Sequence, residues 1–115
     1  MPLEPSRELV LKKLRHVFPD DRTAAEALTA LDGYVGDSPK GQARIQLAIL
    51  MQCGRDLKRL GQLVKLAHTD FRDVLVGAEY PEEFQASFKT PPDKMAEIRK
   101  RDRTQYEAWL LSDGA

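Results

Sequence analysis

Residues 44–81, RIQLAILMQCGRDLKRLGQLVKLAHTDFRDVLVGAEYP, decide the fold. The segment opens apolar almost all round: from Ala43 onward, Ile45, Leu47, Ala48, Ile49, Leu50, Met51 and Cys53 leave only Arg44, Gln46 and Gln52 polar, with Gln42 just before. A helix with no polar face belongs at the buried centre of its domain. The length of the run and its Ala, Leu, Met and Gln content favour helix over a buried strand. Gly54 ends it. Asp56 then caps an amphipathic helix with Leu57, Leu60, Val64 and Ala67 inward and Lys58, Arg59, Gln62 and Lys65 outward. A break at His68-Thr69 separates this from a further helix, in which Phe71, Val74, Leu75 and Ala78 follow the one-face spacing. Pro81 stops or kinks that helix at Tyr80.

Toward the N-terminus, Ser6 caps a helix ending at Phe18-Pro19, with Leu11, Leu14, Val17 and Phe18 predicted to face the core. Asp20 or Asp21 caps a second, carrying Ala24, Ala27, Leu28 and Leu31 before Asp32-Gly33. Residues 34–41 form the main loop, and Ser38-Pro39 is a cap and first-position pair that starts the central helix. Toward the C-terminus, residues 82–92 read as a linker anchored by Phe84 and Phe88. A last helix over 92–111 carries a thin stripe of Met95, Ile98, Tyr106, Trp109 and Leu110. The expectation is an all-α protein: one domain with its core over 6–81, built as a bundle or orthogonal array of five to six short helices around a buried central one.

Composition narrows the partners. With 18 basic and 18 acidic residues among 115, the chain has no global field of the kind nucleic-acid and membrane-surface binders use. The 42% hydrophobic content fits an ordinary folded domain. No apolar run approaches the roughly 18 residues that span a bilayer, and the start, MPLEPSRE, lacks a basic segment followed by an apolar one. The lone Cys53 lies in the apolar run, as a buried unreactive thiol in a reducing cytoplasm would.

The pattern Arg-x-Gln-Leu-Ala-Ile-Leu at 44–50, Asp56-Leu57, then Ala67, Asp70-Phe71-Arg72-Asp73-Val74-Leu75 and Ala78-Glu79-Tyr80-Pro81 resembles a family of small uncharacterised bacterial proteins, over roughly a third of the chain. The resemblance implies an all-α fold and a bacterial setting, and brings no activity with it. Phe71 stands where that family more often has tyrosine, and Gly77 where it has a bulkier residue.

No nucleophile motif, metal-ligand spacing or phosphate loop is present, so no catalytic, cofactor-binding or metal-binding set is assigned and the reading leans away from an enzyme. The densest polar cluster is Arg44, Asp70, Arg72, Asp73, Glu79 and Tyr80. Its carboxylates suit acid–base work or a small ligand. Asp70 and Asp73 equally suit the first turn of a helix, where carboxylates accept from unpaired amides. Arg44, on the buried helix, needs a partner, and Asp70 or Asp73 is the expected one. His68 with Asp70 and Asp73 is too few ligands for a structural metal. A nucleic-acid regulator is the alternative, through Arg55, Lys58, Arg59 and Lys65 and the patch Arg99-Lys100-Arg101-Asp102-Arg103. That patch reads more simply as a solvated helix face.

Six of the eight aromatics, Phe71, Tyr80, Phe84, Phe88, Tyr106 and Trp109, fall after residue 70. Aromatics concentrate at interface centres, so the leading expectation is a non-enzymatic cytoplasmic protein–protein interaction module, with a homodimer as one form. Its interface would be Val76, Tyr80, Phe84, Phe88, Tyr106 and Trp109. Gly61 and Gly77, each costly inside a helix, mark close approach to a neighbour.

Overall fold

The computed structural model describes residues 4–86 and 89–112. Six helices follow one another: α1 (Arg7–Val17), α2 (Asp21–Leu31), α3 (Pro39–Gln52), α4 (Leu57–Glu79), α5 (Pro81–Gln85) and α6 (Pro92–Leu111), with no strand among the described residues. The caps are those the sequence offers. Ser6 Oγ accepts from Leu9 N, Asp20 from Thr23 N, Ser38 Oγ from Gly41 N and Asp56 from Lys58 N, all at 2.9–3.2 Å. Each satisfies an amide that the helix itself leaves unpaired. After α3 the chain turns through Gly54 and Arg55, both in the left-handed region at φ of 60° and 62°. Only the first of these is a residue for which that conformation is free of strain.

The bundle is all-α around a buried centre. Ala43, Ile45, Gln46, Leu47, Ala48, Ile49 and Leu50 of α3 are buried, against α4 chiefly and α1 on another side. α2 packs on α4, and α6 reaches back to α4 and α5. The one polar side chain buried in α3, Gln46, donates from Nε2 to Leu31 O at 3.1 Å. Beside it Arg7 forks onto Asp32, Nη1 to Oδ1 at 2.6 Å and Nη2 to Oδ2 at 2.8 Å, tying the start of α1 to the end of α2.

Four expectations are corrected. The core face of α1 is Val10, Lys13, Leu14 and Val17, while Leu11 is exposed. The break expected at His68-Thr69 is present one residue later: α4 is two helical stretches that meet at a kink at Asp70 (φ −153°, ψ 89°). One extended residue suffices because Asp70 recaps the chain at once, its Oδ1 accepting from Arg72 N at 3.1 Å. The bend turns Phe71 outward to 44% exposure, and Leu63 fills the interior with Val74 and Leu75. Finally, the linker expected over 82–92 is helical at its start: Pro81 stops α4 at Tyr80, as expected, and also begins α5, because a residue with no N–H is tolerated at the first helical position. Phe84 of that helix is exposed and anchors nothing within the described residues. Phe88 lies outside the described residues.

Gly77 is where backbones and side chains crowd: a Cβ there would overlap the Gln52 side-chain amide. That amide is pinned by donation to Val74 O at 2.7 Å and Ala48 O at 3.0 Å. Gly61 faces open space, so the close approach expected there is absent.

Candidate functional site

α6 carries Arg99, Asp102, Arg103, Tyr106, Glu107 and Leu110 at the i, i+3, i+4, i+7, i+8, i+11 spacing of one helical face. That face looks across at the start of α3 and the end of α4, leaving a groove of about 610 Å³. Its far wall is the cap Ser38 and Lys40, Gly41 and Arg44 of α3, with Glu79 and Tyr80 at the α4–α5 corner. The volume is in the range of small-ligand and peptide clefts.

Two internal pairings shape it. Arg44 is half-exposed and forks onto Glu79, Nε to Oε2 at 2.8 Å and Nη2 to Oε1 at 2.7 Å. Its partner is therefore Glu79, at the C-terminal end of α4, in place of the expected Asp70 or Asp73, which stand exposed nine and six residues earlier on that helix. Asp102, expected on a solvated face, is 2% exposed. Its Oδ1 and Oδ2 accept from Glu82 N at 3.3 Å and Glu83 N at 3.0 Å. The carboxylate thus caps α5 from another helix, which has no side-chain cap of its own. Arg99 Nε donates to Glu83 Oε1 at 2.7 Å and Arg101 lies 3.6 Å from Glu82, so both cations are matched across the same corner.

Tyr106 forms part of the groove wall and is 9% exposed. Its phenol is pushed above the usual range, first by burial and then by the Glu79 carboxylate, with Arg44 acting in the opposite direction. It is therefore a neutral hydroxyl at any ordinary pH. It makes no hydrogen bond with the described residues.

A second trough of about 460 Å³ adjoins the first. It is lined by Tyr34, Val35, Ile45, His68, Phe71 and Leu75, and it shares Ser38, Gly41 and Arg44 with the groove. Val35 is 72% exposed at its rim, beside the outward-turned Phe71. His68 closes its floor, with Nε2 2.9 Å from Gly33 O and its ring 5.4 Å from that of Tyr34.

Of the polar cluster read from the sequence, Arg44, Glu79 and Tyr80 come together in the groove, while Asp70, Arg72 and Asp73 sit exposed on α4 outside it. Of the aromatic set, Tyr80 and Tyr106 line the groove, Val76 is half-buried and Phe84 is exposed. Trp109 folds back against the core, edge-on to Tyr106 at 6.4 Å and under the Lys13 ammonium, which lies 4.4 Å above its ring. Lys13 is itself fully buried. Its Nζ donates to Trp109 O at 2.6 Å and to Ser112 O and Oγ at 3.1 Å, closing the C-terminal end of α6. Sequence reasoning missed Lys13 and Asp102, since each sits among like-looking charged neighbours. The one available signal was that Asp102 falls on the same face as Tyr106.

Cys53 is buried, its thiol donating to Leu50 O at 3.3 Å, and burial raises its pKa, as for an unreactive thiol. Among the described residues no three His, Cys, Asp or Glu gather as metal ligands, and no helix is long and apolar enough to cross a membrane. Compared with known protein families, curated proteins and solved structures, the chain matches none.

Proposed function

We propose that this chain is a non-enzymatic helical interaction module that accepts an extended segment of a partner protein along the two adjoining depressions. The observation that carries this reading is their junction. A groove walled by charged side chains and a trough rimmed by the exposed Val35 and Phe71 share Ser38, Gly41 and Arg44, so one short segment has both an apolar anchor and a charged terminus within reach. Apolar anchors bordered by polar groups are the usual anatomy of a binding patch. The cytoplasmic, bacterial setting belongs to the same proposal, supported by the buried single thiol and by the motif resemblance. The nucleic-acid alternative draws little support, because Arg99 and Arg101 of the tail patch already face Glu83 and Glu82.

Selection of a random peptide library on the immobilised protein tests this. Enriched peptides should share an apolar residue, and Phe71→Asp should abolish their binding while leaving the circular dichroism melt in place. A library that yields no enrichment, or peptides that bind Phe71→Asp as well as the parent, would overturn the reading. Light scattering alongside separates a partner segment from a second copy of this chain: concentration-dependent dimers broken by Phe71→Asp would replace the peptide with self-association.

A further inference from the structure

We propose that the Tyr106 end of the groove binds an oxyanion, a carboxylate or phosphate group, which on the reading above is carried by the partner segment. The argument is one of hydrogen-bond accounting. The acceptors around this end are largely consumed by the protein: both Glu79 oxygens by Arg44, both Asp102 oxygens by the α5 amides, and one Glu83 oxygen by Arg99. The donors are left over. Arg44 uses Nε and Nη2 on Glu79 and keeps Nη1. Arg103 has no ion pair among the described residues, and Lys40 meets Glu4 only at 3.5 Å with both side chains well exposed.

Backbone geometry adds to this. In the first turn of α3, Pro39 has no N–H and the Gly41 amide is taken by Ser38 Oγ, which leaves the Lys40 amide open at the positive end of a helix with no acidic residue in that turn. Across the groove stands Tyr106, a side chain nine-tenths buried whose hydroxyl has no partner among the described residues and opens to the groove. A group able to accept from several of these donors along one groove, and opposite in charge to Arg44, Arg103 and Lys40, is a multi-lone-pair anion. Glu107 is the one wall carboxylate with no partner among the described residues, and it sets a limit of one oxyanion on a side chain or chain end, against a polyanion.

The test is an NMR titration of the isotopically labelled protein with inorganic phosphate and with acetate, each against sodium chloride at matched ionic strength. Saturable shifts are expected at the Lys40 and Gly41 amides and the Arg44 Nε–H. A hydrogen bond to a charged group corresponds to roughly tenfold or more in affinity, so Tyr106→Phe should weaken binding by about that factor without lowering the melting temperature. Arg103→Gln, at an exposed position, provides a second variant with the same expected direction. Shifts that stay linear, spread over all surface cations, or persist unchanged in Tyr106→Phe would overturn the proposal. Phosphate binding over acetate points to a phosphorylated segment, the reverse to an acidic side chain or C-terminus. Peptides that bind while neither anion does would sink this inference and leave the interaction reading standing; the converse would do the opposite.

Discussion

Leu47 of α3 and Asp102 of α6 are both withdrawn from water, yet they hold the protein by different physics. Leu47 sits in a continuous aliphatic core shared by α1–α4, where stability comes from area removed from water and is spread over many side chains. Asp102 belongs to an arm, α5 and α6, whose attachment combines a few apolar contacts, Tyr106, Leu110 and Trp109, with directional polar ties: Asp102 to the α5 amides and Lys13 to the end of α6. Apolar packing tolerates small displacements, whereas a hydrogen-bonded buried charge fixes position, so the arm is placed accurately without a large core of its own. The groove lies along the boundary between the two.

The contrast is open to measurement. Leu47→Ala should produce the largest loss, about 2–5 kcal/mol in urea denaturation, because a cavity opens at the centre. Near-neutral behaviour would mean that the core lies elsewhere. Lys13→Met keeps the stem and removes the ammonium. It should lower the protection of the last α6 amides in hydrogen exchange by about 1–3 kcal/mol and leave the α3 amides unchanged. Were the variant instead more stable throughout, the buried charge would be a net cost and the polar account of the arm would fail.

Within α4 the kink allows a finer comparison. Asp70→Ala should cost about 1 kcal/mol through its lost cap, while Asp73→Ala, with no side-chain hydrogen bond or ion pair of its own, should cost less than half of that; equal effects would deny the cap. Gly61→Ala should stabilise by about 0.5–1 kcal/mol, since nothing occupies the space its Cβ would enter, and Gly77→Ala should destabilise by displacing the Gln52 amide. A small, pH-dependent effect is expected at the Arg7–Asp32 fork, where the guanidinium's hydrogen bonds hold the Asp32 carboxyl below its ordinary pKa. A carboxylate lowered on folding stabilises above its unfolded value and loses that contribution as pH falls through the folded one. Asp32→Asn should therefore flatten the stability profile below about pH 4, by under about 1 kcal/mol for so exposed a pair.

Much of the fold was legible in the residues. The apolar run from Ala43 to Cys53 specified a central helix because no orientation of it leaves a polar face for water, and Ser6, Asp20, Ser38, Asp56 and Asp70 marked helix starts because their short side chains compete for the amides there. These are local effects, decided within one turn. Charge partners were less legible. Arg44 lies 35 residues from Glu79, and Asp102 about 20 from the amides it caps, so nothing in their neighbourhoods distinguishes them from the solvated charges beside them. Lys13 reads as a surface lysine until α6 folds over it. By itself the sequence determined where α1–α4 and α6 run and that α3 is the buried one, since caps and an unbroken apolar run act within a few residues, whereas α5 and the inward sides of α1 and of the stretch after Asp70 were set by packing. Only the tertiary structure decided which charges are buried, which carboxylates are already spent and which donors remain open at Tyr106, because those depend on where distant helix ends meet.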